Sequence, residues 1–220
     1  MFRNLYPNEI EVRVQQCKKT GCSLLLYKDA RCDMAILDET VTPLGWKREH
    51  LRDNKNCIVS LYDDKKGLWI PKEDTGTESN TEQAKGLASD SFKRACFNWG
   101  IGRELYSSPF IWIKLNQEEM KINEQKKDKW GNPTVTLNFG VKFRVSKIIS
   151  STSKHIEYLE IVDNVNNIRF THGVEPSLKW YINEELKKLS KDTQLDYIAK
   201  IKAGDLEANQ DLLDTLRGIL

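Results

Sequence analysis

The chain has 220 residues, 39% of them apolar and 30% charged, which is enough to bury a sizeable core but too little for two independent enzymes. Its 34 basic and 32 acidic side chains leave a net charge of +2, so any nucleic-acid footprint has to be local rather than global. The longest apolar runs, SLLLY and FIWI, fall far short of a bilayer span, and the start MFRNLYPNEIEVRV lacks a signal peptide's apolar stretch; no membrane partner and a cytoplasmic location are expected.

In chain order, Ile10, Val14 and Cys17 fall at helical spacing between Pro7 and Gly21, which predicts a first helix of about three turns. SLLLY reads as a short buried strand, and DARCDMAILDETV as a second helix with Ala30, Met34 and Leu37 on one side, ended by Pro43 and Gly45. WKREHLRDNK, CIVSLYD and LWIPKED then read as three strands, the last two joined through DKKG, where Gly67 can take positive φ. A helix over about 80–99 follows, with Ser79 and Glu82 in capping-box spacing and Gly100 as its left-handed stop. The mixed charges of NQEEMKINEQKKDKWGN suggest a solvated loop or hairpin tip. Further on, PTVTLNFGVKFRVSKI, HIEYLEIVD and NIRFTHG alternate like antiparallel strands, with a turn at Asn166 and Asn167. The end is helical from Glu175: WYINEELKKL, a segment capped by Asp192 and Thr193, and one begun after Gly204. The expected class is α+β, an antiparallel β-meander packed by a long helix, with extra β-hairpins and a helical C-terminal region. The expected division is 1–174 and 175–220.

The segment SDSFKRACFNWGIGRELY, residues 89–106, carries the functional signal. On a helical wheel Ala84, Leu87, Ala88, Ser91, Ala95 and Trp99 form one stripe of mostly small residues that can lie close to a sheet. Lys93 falls opposite that stripe with Phe97 on its side, and Arg94 falls on the flank. Charge for phosphates and a flat face for bases or a neighbouring subunit are thereby offered together.

Residues 7–112 resemble the phage single-strand annealing proteins of the Rad fifty-two superfamily, the Sak-like recombinases. The resemblance is carried by KDARCDMAILDETVTPLGW, NCIVSLYDDKKGLWIPKEDTGTES and above all TEQAKGLASDSFKRACFNWGIGRELY, in the family's order. It implies a three-stranded antiparallel sheet crossed by a helix, protomers joined into a ring or helical filament, and single-stranded DNA in a basic groove. Arg31, Lys93 and Arg94 match the family's phosphate-contacting positions, and Phe97 stands where the family's better-studied members carry a further Arg, which implies stacking in place of charge. Lys47 and Arg48, in a basic cluster with Arg52 and Lys55 beside Trp46, suggest a second contact, and Lys85 completes the candidate DNA-binding set. Beyond residue 112 the reading rests on pattern alone.

Annealing makes and breaks no covalent bond, so no catalytic residue, cofactor or metal is expected, and the chain has no GxxxxGK[ST] loop for ATP. Five cysteines without a CxxC pair read as reduced thiols, and His50, His155 and His172 show no ligand spacing. Trp46, Trp69, Trp99 and Trp112 have core packing as their default reading, with base stacking as the other. Two competing functions stand beside annealing: a metal-dependent nuclease using Asp63 and Asp64, whose place before KKG favours turn formation, and an adaptor whose C-terminal helices recruit a replication protein such as a single-strand-binding protein. Packing against its own domain is the other reading of that tail.

Overall fold

The structure is a computed structural model that describes residues 2–77 and 83–219, of which 83–85 and 219 by backbone alone. The chain forms two compact units, Met1–Gly173 and Val174–Leu220. The first is α+β with every strand pair antiparallel, as the sequence predicts.

Its first strand is a correction. After a short 3-10 turn at Pro7–Glu9 the chain runs extended, as β1 (Glu11–Lys18), not helical, and pairs with β2 (Gly21–Tyr27). A bulge between Val14 and Gln16 inserts one residue, so Val12, Val14 and Cys17 oppose Leu26, Leu24 and Cys22 on one face. Spacing that mimics a helix is thus a strand face with its phase shifted once. β6 (Ile111–Lys114) completes this sheet on the other side of β2.

Helix α1 (Ala30–Val41) is capped by Asp29, whose carboxylate accepts from Cys32 N at 2.9 Å. It buries Asp33, Ile36 and Leu37. The meander follows as β3 (Trp46–Leu51), β4 (Asn56–Asp63) and β5 (Leu68–Thr75), with Gly67 at φ 66° in the second turn. Across it lies α2 (Gln83–Asn98), stopped by Gly100 at φ 92°. The expected capping box of Ser79 and Glu82 lies outside the described residues.

Helix α2 is tied to the sheet at several points. Trp99 Nε1 donates to Val59 O at 2.9 Å, Ser91 Oγ to Asn54 O at 3.0 Å, and Lys72 Nζ to Asn98 O at 2.8 Å. Gly76, just after β5, allows the close approach: a Cβ there would lie 2.6 Å from Ser91 N and 2.8 Å from Leu87 O. Ser91, Phe92, Ala95 and Cys96 are the fully buried residues of the face. The wheel therefore needs widening, because Phe92 and Cys96 belong to it.

The polar stretch 116–132 is more ordered than a loop. It contains β7 (Met120–Lys127), paired with β8 (Pro133–Leu137), and the hairpin tip occupies 128–132. Only Met120 of β7 is buried, which is why apolar alternation is missing. A third sheet, β9 (Phe143–Ser150), β10 (Ile156–Asp163) and β11 (Ile168–His172), turns at Asn166, φ 70°. One core built on Leu24, Ile36, Val59, Phe92, Ile111 and Ile161 joins the layers of this unit.

The second unit holds α3 (Leu178–Leu186), α4 (Lys191–Ala203) and α5 (Gln210–Ile219) around its own core of Ile182, Leu186, Leu212, Leu213 and Leu216. Ser190, not Asp192 or Thr193, caps α4, and α5 begins several residues after Gly204. Among the described residues no helix is long and apolar enough to cross a membrane.

Candidate nucleic-acid interface

The outer flank of α2, the end of β2 and the residues after Gly102 enclose a cleft of about 140 Å³ lined by Tyr27, Lys28, Asp90, Lys93, Arg94, Phe97 and Tyr106, among others. That is well below the roughly 300 Å³ at the low end of small-molecule pockets, so it suits one group of a longer ligand rather than an enclosed metabolite.

Lys93 is half-buried there and has no hydrogen-bond or ion-pair partner among the described residues. Burial holds its ammonium below the usual lysine range; Asp90 opposes this, while the nearby Lys28 and Arg13 charges add to it. An ammonium kept partly from water, with Asp90 and Asp33 near but neither bonded to it, favours an incoming anion.

Arg94 is positioned rather than neutralised. Its Nε donates to Asp90 Oδ2 at 2.9 Å, and the same oxygen accepts from Thr77 N at 2.9 Å and Thr77 Oγ1 at 3.1 Å. Both terminal nitrogens of the guanidinium remain uncommitted among the described residues, on a side chain 39% exposed. A fork held by its Nε edge presents its other donors to a phosphate.

Phe97 departs from expectation. Its ring is partly buried, with the Tyr106 ring centroid at 4.4 Å and Lys28 Nζ at 4.4 Å, so it is not a free stacking surface. The exposed aromatic of the cleft is Tyr106, at 65%.

Lys28, which lines the cleft, belongs to a buried pair that no pattern in the sequence marks. Lys28 and Asp33 are both buried and joined through Lys28 Nζ and Asp33 Oδ1. Asp33 Oδ2 has no hydrogen-bond partner among the described residues, and burial pushes this carboxyl up to about 6 in spite of Lys28 and Lys93. Gly102, at φ 70°, makes the passage of Lys28 possible, since a Cβ there would lie 2.4 Å from Lys28 Cε. A lysine next to an N-cap looks solvated in sequence, and GIGRE at 100–104 has only two of the glycines of a dinucleotide fingerprint and follows a helix rather than a strand, so neither signal points to this contact.

The remaining candidates are not brought into the cleft. Arg31, 87% exposed on the first turn of α1, pairs through Nε with Asp29 Oδ2 at 3.0 Å and does not line it. Arg48 lies on the helix side of the meander, 5.0 Å from the Phe92 ring centroid, whereas Lys47 lies on the opposite face, 5.1 Å from that of Trp69. Successive strand residues point to opposite faces, so the basic cluster of the sequence is split in two. Trp69, 36% exposed beside Tyr62, is likewise not a core residue. The side chain of Lys85 lies outside the described residues. Asp63 is a turn former: its Oδ1 accepts from Lys65 N and Lys66 N at 3.1 and 3.2 Å. Among the described residues no group of three or more His, Cys, Asp or Glu is gathered as a metal site.

Set beside known proteins, the chain is 28% identical over 113 residues to the single-stranded DNA-binding protein DdrA of Deinococcus deserti. The match covers 50% of this chain and 56% of that protein, so the chain spans little more than half the length of the curated relative it matches. No family model matches, and neither does any solved structure.

Proposed function

We propose that this chain binds single-stranded DNA along the α2 cleft and anneals complementary strands in the cytoplasm, without ATP or metal, as a ring or filament of many copies. The observation that carries the reading is the pairing of an unpartnered, half-buried Lys93 with an Arg94 whose terminal nitrogens are free, side by side in one cleft. The likeness to a protein named for binding single-stranded DNA supports the same ligand.

The chemistry follows from charge. Two complementary strands repel, and a protein that neutralises phosphates while leaving the bases unpaired and outward lowers that barrier. Phosphate contacts carry no base information, so pairing is expected to be indifferent to sequence. Repeating the cleft once per copy multiplies weak single contacts into tight, salt-sensitive binding. The C-terminal unit, with a core of its own, is not needed for this step and is the part proposed to recruit a partner such as a single-strand-binding protein.

The test is pairing of complementary oligonucleotides by purified protein with a chelator present and no nucleotide. Acceleration that is lost in Lys93→Ala with Arg94→Ala, while circular dichroism shows the fold retained, supports the proposal. Unchanged pairing by that variant refutes the assigned cleft, and strictly single particles in negative-stain images with DNA refute the assembly.

A further inference from the structure

A larger groove lies elsewhere in the first unit, where the β1–β2 turn faces the tip of the β7–β8 hairpin. It measures about 570 Å³ and is lined by Lys18, Lys19, Asp128, Trp130 and Val135, among others. The two sides of the groove are over a hundred positions apart in the chain, and none of these residues belongs to the α2 cleft.

Trp130 is 66% exposed, so much of its indole is open to a ligand. It is also held in place. Asp128 Oδ1 accepts from Trp130 N and Asn132 N, each at 2.9 Å, and Gly131 takes φ 82°, so the tip is a defined turn. Those bonds hold the Asp128 carboxyl below its usual range and commit the one acidic group of the lining to the turn's own backbone. Lys129 Nζ sits 4.3 Å from the Trp130 ring centroid.

The groove's other charges are cations. Lys18 has no partner among the described residues. Lys19 approaches Glu124 at 3.5 Å, but Lys127 shares that carboxylate at 3.7 Å, so one negative charge faces two positive ones. A preset indole flanked by lysines, in a groove of several hundred Å³, is the chemistry that stacks a base and neutralises the phosphates beside it.

We propose that this groove is a second site for single-stranded nucleic acid, with Trp130 stacking on a base and Lys18, Lys19 and Lys129 meeting the phosphates. It rests on the ligand class proposed above but not on the α2 cleft. An acidic peptide would need the lysines alone; a polynucleotide needs the indole too.

The experiment is fluorescence anisotropy of the full chain with labelled oligothymidylate and with an abasic oligomer of equal length. Trp130→Ala is expected to weaken oligothymidylate binding by about 5- to 150-fold and to leave abasic binding unchanged. Trp130→Phe is expected to restore most of the loss, and Lys18→Ala with Lys19→Ala to weaken both oligomers. If Trp130→Ala binds oligothymidylate as well as the parent while Lys93→Ala with Arg94→Ala does not, the groove is overturned and the helix cleft stands. If Trp130→Ala loses binding and the helix variant keeps it, the groove stands and the cleft falls. Equal loss on both oligomers with Trp130→Ala refutes stacking and leaves a charge-only site of the kind an acidic peptide would use.

Discussion

Salt dependence tests the α2 cleft most directly. Each phosphate neutralised on a single strand releases counterions and adds about 0.7 to the slope of log affinity against log salt. Lys93 has no internal partner to forfeit, and Arg94 gives only its Nε to Asp90, so both side chains can neutralise a phosphate. Lys93→Ala with Arg94→Ala should therefore flatten the slope by about 1.4 for an oligonucleotide spanning one protomer. Between 50 and 500 mM salt, the parent should lose about 25-fold more affinity than the variant. The assay is a titration series by fluorescence anisotropy, with thermal melts showing that both proteins are folded. Asp90→Asn works in the opposite sense, because it removes the anion that competes for both cations, and should tighten low-salt binding by up to about fivefold. Equal slopes for parent and double variant would show that Lys93 and Arg94 neutralise no phosphate, even if absolute affinity had changed.

Other outcomes follow from the same geometry. Because burial lowers the Lys93 pKa, binding should decline with rising pH sooner in the parent than in Lys93→Arg; superimposable profiles by anisotropy would contradict this. Lys28→Met strands the buried Asp33 carboxylate and should cost about 3–5 kcal/mol near pH 8 by urea unfolding. A carboxyl raised from 3.8 to about 6 contributes stability that is present below its unfolded value and lost as pH rises through the folded one, so that cost should shrink near pH 5. Gly76→Ala drives a methyl into the backbone of α2 at Ser91 and Leu87 and should destabilise by about 1–3 kcal/mol in the same assay. A chain ending at residue 173 should remain folded and bind oligothymidylate as the full chain does, since the helical unit has a core of its own.

The features legible before folding were local ones. The periods of α1, the β3–β5 meander and α2, with stops at Gly67 and Gly100, are legible because each helix or strand shows one face to the core within a few residues. The same periodicity sets Lys93 and Arg94 off the buried face of α2. Tertiary structure decided everything that depended on a partner far along the chain. The bulge that makes 11–18 a strand exists because β2 lies beside it, and no window of the sequence contains both the pattern and the pairing. Whether Phe97 was free depended on Tyr106 and on a lysine that Gly102 admits, and the separation of Lys47 from Arg48 became meaningful only once α2 covered one face of the meander. The groove at Trp130 needed two distant turns to meet. Hydrophobic periodicity records which side of an element is buried, whereas a site is made by what the opposite sides come to face, and that is set by long-range packing.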